Sequence, residues 1–320
     1  MILILTEAGN YSGYGHLSRS AAIFERIQSR CKLLVHVDSD NDASFFGHEV
    51  FQWRSKFKEL SKYCPKIILI DSYQADIKIF EYLKQISSFV VVLDDYDRLN
   101  YNADLIINPA IKGPLYSSNK SSIFGGPEWV IVKKEFVLHK KKLKYGKLKK
   151  LTLTLGRNDN IEVFKILISS LISIDIEIKI VTGSTSKKNE LDKCFKDIKN
   201  NIFGELNSNN LADLFISSDL VISAGGQTLN ELAYLNVPFL AIQTGEDQYW
   251  NIRGYIDAEI TPIHFNSGNM SFAEEIVSFI VSKNFNNFFN DERLEKFKII
   301  DGLGSLRIAK FLDNRITNNE

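Results

Sequence analysis

Ile2-Leu3-Ile4-Leu5-Thr6-Glu7-Ala8-Gly9-Asn10-Tyr11-Ser12-Gly13-Tyr14-Gly15-His16-Leu17-Ser18-Arg19 opens the chain, and its reading decides the fold. Ile2–Leu5 is a short apolar run that fits a buried strand. The glycines after it let the backbone turn sharply, and from His16 to Gln28 the apolar positions recur at helical spacing. A strand passing through a glycine-rich loop into a helix is the first half of a β-α-β unit. Gly13, Tyr14 and Gly15 sit in the turn, where a ligand can come close to the backbone and the helix start offers free N–H groups, so the loop suits an anion or a sugar. The dinucleotide fingerprint requires a third glycine where this chain has Ser18, which disfavours NAD.

The same alternation continues outward. Leu33–Val37, Ile67–Ile70, Val90–Leu93 and Leu105–Ile107 read as further buried strands, with a helical pattern at Ile77–Ile86. A second series starts at Leu151–Leu155 and runs through Ile176–Val181, Asn201–Phe203, Leu220–Ser223 and Phe239–Ile242. A single core stops growing near ~250–300 residues, so 320 residues with two such series imply two Rossmann-like α/β domains, with any ligand between them. The expected boundaries are 1–140 and 150–302, followed by a C-terminal helix, 303–320, crossing back to the first domain. Lys133–Lys150, with nine Lys and one Glu, reads as the linker, a solvated connector first and a foothold on an anionic membrane second. Asn284–Asn290 reads as a surface loop.

Composition excludes several function classes. The 39 Lys and Arg balance 39 Asp and Glu, which removes the basic field of a nucleic-acid binder. No apolar run approaches the ~20 residues that cross a bilayer, and nothing at the start reads as a secretory signal. Cys31, Cys64 and Cys194 are odd in number and far apart, which reads as buried thiols in a cytoplasmic protein. Peripheral membrane contact is not favoured, and a monomer is expected.

His16 follows the first strand, where open α/β sheets bind ligands. An imidazole there can take a proton from water or a hydroxyl, or else cap the helix. Arg19 lies one turn later and suits a phosphate or carboxylate, or else a surface ion pair. The second chemical constellation is Ser223-Ala224-Gly225-Gly226-Gln227-Thr228-Leu229-Asn230-Glu231, followed by Asp247-Gln248-Tyr249-Trp250-Asn251. A strand entering Gly-Gly and then a helix presents backbone N–H groups and the Thr228 hydroxyl to a diphosphate without needing a metal, and Glu231 can accept from ribose hydroxyls.

These two constellations together resemble the UDP-sugar hydrolases of pseudaminic acid biosynthesis and their spore-coat polysaccharide relatives. The hydrolases are part of the GT-B superfamily that includes the lipid II glucosaminyltransferase. The resemblance runs from residue 1 to about 260 and is supported in order by Asp71-Ser72-Tyr73, Asp94-Asp95, Asn108 and Gly125-Gly126-Pro127. It implies a GT-B fold, two Rossmann-like domains facing a central cleft. It implies His16 as the catalytic base, with Gly13, Tyr14, Gly15, Arg19, Asp71, Tyr73, Asp94 and Asn108 at the sugar. Gly156, Arg157, Ser223, Gly225, Gly226, Gln227, Thr228, Glu231, Asp247 and Gln248 would hold the nucleotide. No metal or other cofactor is implied.

The chain also departs from the family. Thr6-Glu7-Ala8-Gly9 stands where the family has Arg-x-Asp, Arg157 replaces a loop glycine, and Trp129 and Lys134 replace Tyr and Arg. These changes bear on which sugar is recognised. Three readings stand side by side: a metal-independent, inverting hydrolase that releases UDP and a diacetamido-trideoxy hexose, an inverting glycosyltransferase, and a non-catalytic nucleotide-sugar-binding protein. The motif order favours the first, and the Lys-rich segment favours the second.

Overall fold

The computed structural model describes residues 1–9, 12–38, 47–113, 121–142, 144–156 and 160–317. The chain divides into two compact units, Met1–Lys133 with Asp301–Glu320, and Lys134–Ile300.

The first unit holds β1 (Ile2–Ala8), β2 (Cys31–Val37), β3 (Glu49–Val50), β4 (Ile67–Asp71), β5 (Phe89–Leu93), β6 (Leu105–Ile107) and β7 (Ser122–Phe124). All seven are parallel, in the order β3-β2-β1-β4-β5-β6-β7. Successive strand residues point to opposite faces, and here both faces are apolar because helices cover both. Ile2, Ile4, Leu33, Val35, Leu69 and Val91 pack with the helices Gly15–Ile27 and Gly304–Thr317. Leu3, Leu5, Leu34, Ile68, Ile70 and Val90 pack on the other face with the helix Ile77–Ile86 and with Trp53.

The C-terminal helix joins this unit through Ile308, Ala309, Leu312 and Ile316. Its first residue must be glycine, because a Cβ on Gly304 would lie 2.2 Å from the Val130 carbonyl oxygen. Arg307 reinforces the junction by donating from Nη1 to the Glu128 carbonyl at 2.8 Å.

The second unit holds β8 (Lys150–Thr154), β9 (Glu177–Val181), β10 (Ile202–Phe203), β11 (Leu220–Ala224), β12 (Phe239–Gln243) and β13 (His264–Asn266). Their order is β10-β9-β8-β11-β12-β13, all parallel, which is the Rossmann order. One sheet face buries Leu151, Leu153, Ile180 and Ile222 against the helices Ile161–Leu171 and Phe272–Val281.

Four expectations are corrected here. The Lys-rich stretch is not a free linker. The helix Lys134–Val137 packs on the helices Ser208–Ser217 and Thr228–Tyr234 of the second unit, which therefore begins near residue 134, not 150. Beyond that helix the Lys142 amide donates to Leu235 O at 2.8 Å, and the Lys149 and Lys150 amides both reach Asp219 at 3.0 Å. Burial also pushes the Lys142 ammonium down from its ordinary pKa. Within Asn284–Asn290 most residues form the helix Lys283–Phe288, because Phe285 and Phe289 are buried under the sheet. Cys64 and Cys194 are exposed, not buried, and all three cysteines are free thiols. Finally, β3, β7 and β13 are strands that the reading did not contain; at two or three residues each they carry too few side chains for a visible pattern.

Candidate functional site

In both sheets the strand order reverses beside the first strand, between β1 and β4 and between β8 and β11. Loops leaving the carboxyl ends of such a strand pair diverge to opposite faces and leave a crevice for a ligand. The sequence places His16 after β1, Asp71 at the end of β4, Gly156 after β8 and Gly225 after β11. Both sets of expected site residues therefore stand at switch points.

In the first unit the loop that carries His16 is closed by paired bonds, Gly9 N to Gly13 O at 3.1 Å and Gly13 N to Gly9 O at 2.9 Å. Asp38, at the end of β2, accepts from the Ser12 amide at 2.9 Å and its hydroxyl at 3.0 Å. Gly15 then starts the helix and brings His16 over β4.

His16 Nδ1 lies 2.6 Å from Asp71 Oδ1. Asp71 is fully buried. Burial alone would raise its pKa, but the Arg19 guanidinium and His16 outweigh burial and hold the carboxyl down at about 2. An ionised carboxylate only accepts, so Nδ1 carries the proton, and in the neutral ring Nε2 is the nitrogen with the lone pair. Nε2 has no hydrogen-bond partner among the described residues. This is the geometry of a base held in its productive tautomer.

Arg19 is 7% exposed and its donors are engaged. Nε and Nη2 grip the two Asp71 oxygens at 2.7 Å each, and Nη1 reaches Asp95 Oδ2 at 2.9 Å. Burial opposes its charge, yet Asp71 and Asp95 hold it firmly protonated. Arg19 therefore braces Asp71 and Asp95. Tyr73 completes the ring of contacts: its hydroxyl donates to Asp95 Oδ1, and its ring meets His16 edge-on at 4.1 Å between centroids.

The remaining expected residues of this unit divide by accessibility. Asp94 accepts from the Tyr96 and Arg98 amides at 3.1 Å each, and burial pushes its carboxyl up to about 6, so it shapes a turn. Asn108 is buried and accepts from the Ala110 amide at 2.8 Å, also within a turn. Tyr14 is half-buried against the apolar core. Glu7, the departure noted in the sequence, is fully buried. It accepts from the Ser72 hydroxyl and from the Tyr73 amide at 2.8 Å, fixing the turn after β4.

In the second unit Gly156 has φ +88° and open space around its Cβ direction, while Arg157 lies outside the described residues. A Cβ on Gly225 would lie 2.5 Å from Ile252 Cδ1, so only glycine fits where the loop crosses the helix Tyr249–Asp257. The amides of Gly226 and Thr228 have no partner among the described residues. Glu231 is 2% exposed in the helix Thr228–Tyr234. Ser223 is buried in β11, where its hydroxyl donates to the Ala224 carbonyl at 3.2 Å. Asp247 is exposed.

Gln248 serves the loop itself. Its Oε1 accepts from the Gly225 amide at 3.1 Å and the Thr244 amide at 2.9 Å, tying the loops after β11 and β12 together. Spacing alone does not distinguish a ligand contact from a loop brace, and the sequence gives no signal for the brace made by Asn251. No group of three or more His, Cys, Asp or Glu placed to hold a metal occurs among the described residues.

No protein-family model matches the chain. It is 24% identical to the spore coat polysaccharide biosynthesis protein SpsG of Bacillus subtilis over 97% of both chains. It is 23% identical to an uncharacterized protein, MJ1062, of Methanocaldococcus jannaschii, over 87% of this chain and 66% of that one. Thus the chain spans about two thirds of the archaeal relative's length. Among solved structures, a Staphylococcus aureus MnaA–UDP co-structure superposes with a TM-score of 0.66 at 13% identity, covering 99% of this chain and 97% of that one. Acinetobacter baumannii MurG gives 0.63 at 11% identity, covering 98% and 99%. The fold is GT-B. Within this GT-B chain no helix among the described residues is long and apolar enough to cross a membrane.

Proposed function

We propose that this GT-B chain is an enzyme acting on a nucleotide sugar in surface polysaccharide or nonulosonic (pseudaminic) acid biosynthesis, and that it is a metal-independent UDP-sugar hydrolase. The observation that carries the reading is the buried His16–Asp71 pair at the β1/β4 switch point, with Nδ1 2.6 Å from the carboxylate. The relative named for spore coat polysaccharide biosynthesis supports the biological setting.

In this reading His16 Nε2 takes a proton from water as the water oxygen attacks the anomeric carbon. The bond from that carbon to the β-phosphate oxygen breaks, its electron pair leaves with UDP, and the configuration inverts. Asp71 stabilises the imidazolium that forms, and Arg19 keeps Asp71 ionised. UDP is a good leaving group, so orientation of the water and support of the departing charge are sufficient. Gly156, the Gly226–Thr228 amides and the Thr228 hydroxyl receive the diphosphate, and Glu231 the ribose.

Free sugar and UDP, followed by NMR with a panel of UDP-sugars, test the reading. Equal release of both without any acceptor, unchanged by EDTA, supports hydrolysis. Consumption only when a hydroxyl acceptor is added assigns the same base to glycosyl transfer, and binding without turnover would overturn both.

A further inference from the structure

The helix Tyr249–Asp257 and the residue before it, Gln248, brace the glycine loop and the helix after it through Gln248, Asn251 and Tyr255. Tyr255 donates to Asn230 Oδ1 at 2.7 Å, and Asn230 Nδ2 in turn reaches Gln227 Oε1 at 3.3 Å. Asn251, 7% exposed, makes the central contact. Its Nδ2 donates to two successive carbonyls, Gly225 O at 2.9 Å and Gly226 O at 3.2 Å.

The consequence follows from peptide geometry. All peptide bonds described here are trans, and in a trans peptide the C=O of one residue and the N–H of the next point in opposite directions. Drawing the Gly225 carbonyl toward Asn251 turns the Gly226 N–H away from the helix. Drawing in the Gly226 carbonyl does the same to the Gln227 N–H. The Gly226 carbonyl is also drawn in by the Leu229 amide at 3.1 Å, whereas the Gly225 carbonyl accepts from Asn251 alone among the described residues, and glycine itself accepts most backbone conformations. The reverse orientation of the Gly225–Gly226 peptide would present the Gly225 carbonyl oxygen to an incoming anion.

We propose that Asn251 is a positioning residue that sets the polarity of the Gly225–Gly226 peptide, so that the Gly226 amide and not the Gly225 carbonyl faces the diphosphate. This rests on the nucleotide-sugar reading above and adds to it a residue that never touches the ligand. Side-chain support of this kind is what converts a flexible glycine turn into an anion cradle. The Oδ1 of Asn251 is itself buried and accepts from none of the described residues, so the amide is held for what its Nδ2 does.

The test compares UDP with uridine, which shares the nucleoside and lacks the phosphates. Binding to wild type, Asn251→Ala and the isosteric Asn251→Asp is measured by calorimetry for UDP and by ligand-observed NMR for uridine. Thermal melts confirm that each variant is folded; should Asn251→Ala fail to fold, Asn251→Asp carries the test. UDP affinity is expected to fall about 10–100-fold, the effect of lost hydrogen bonds to a charged ligand, and to fall further in Asp, whose carboxylate repels both carbonyls. Uridine affinity is expected to stay within a factor of about two in both. Equal losses for UDP and uridine would mean that Asn251 merely supports the fold, and an undiminished UDP affinity in folded variants would also overturn the inference. Failure of wild type to bind UDP would instead overturn the nucleotide reading on which it rests.

Discussion

Asp71 holds the Nδ1 of His16 at 2.6 Å and is itself held by two Arg19 nitrogens at 2.7 Å. Arginine keeps the carboxylate ionised, the carboxylate keeps the proton on Nδ1, and Nε2 of the neutral ring is left with the lone pair that the proposed reaction uses. Asp71→Asn removes the negative charge and allows the wrong tautomer. Turnover is expected to fall roughly 10²–10⁴-fold with UDP affinity unchanged, measured by steady-state kinetics and calorimetry.

The same carboxylate gives a pH signature in stability. Its pKa is depressed from the usual 3.8 to about 2, so its contribution is fully present above the unfolded value and is lost as pH falls through the folded one. Wild type is expected to lose stability between about pH 4 and 2 more steeply than Asp71→Asn, in which that carboxyl no longer titrates. Parallel acid-unfolding curves for the two proteins would show that Asp71 is not the group responsible.

Arg19 separates a brace from a ligand contact. Were it a ligand for phosphate, Arg19→Ala would lower substrate affinity and leave stability nearly intact. With Asp71 left uncompensated in the interior, the variant is expected to lose about 3–5 kcal/mol in urea unfolding. Arg19→Lys keeps the charge but not the fork that reaches both Asp71 and Asp95, and is expected to fall between the two.

The packing of the C-terminal helix against the first unit makes a sharper steric prediction. Gly304→Ala sets a Cβ 2.2 Å from the Val130 carbonyl, a backbone atom that cannot rotate away. Destabilisation of at least ~1–3 kcal/mol is expected in a denaturant melt. A variant as stable as wild type would show that the helix does not start against Val130.

Much of this was legible in the sequence, for a physical reason. Parallel strands buried on both faces must be nearly continuous apolar runs, and ten such runs in two series specify two α/β sheets. The glycines at 13, 15, 225 and 226 marked the turns at the carboxyl ends of β1 and β11. What could not be read were partnerships. The pairing of Arg19 with Asp71 and Asp95 joins residues 52 and 76 positions apart, and no spacing rule reveals that the donors of an arginine are already engaged. The Lys-rich stretch misled because charge suggests solvent, whereas its backbone amides are held by Asp219 and Leu235. Glu7 and Asn251 were unreadable for the same reason: each acts on a neighbouring turn, not on a motif of its own.

The most direct test of the central claim is the turnover of a UDP-sugar by His16→Asn, which keeps a side chain of similar size able to hydrogen-bond but unable to take up the proton. The account predicts UDP affinity close to wild type, turnover reduced roughly 10²–10⁴-fold, and disappearance of the acidic limb of the rate profile. Turnover within a factor of a few of wild type, in a folded His16→Asn protein, would contradict it.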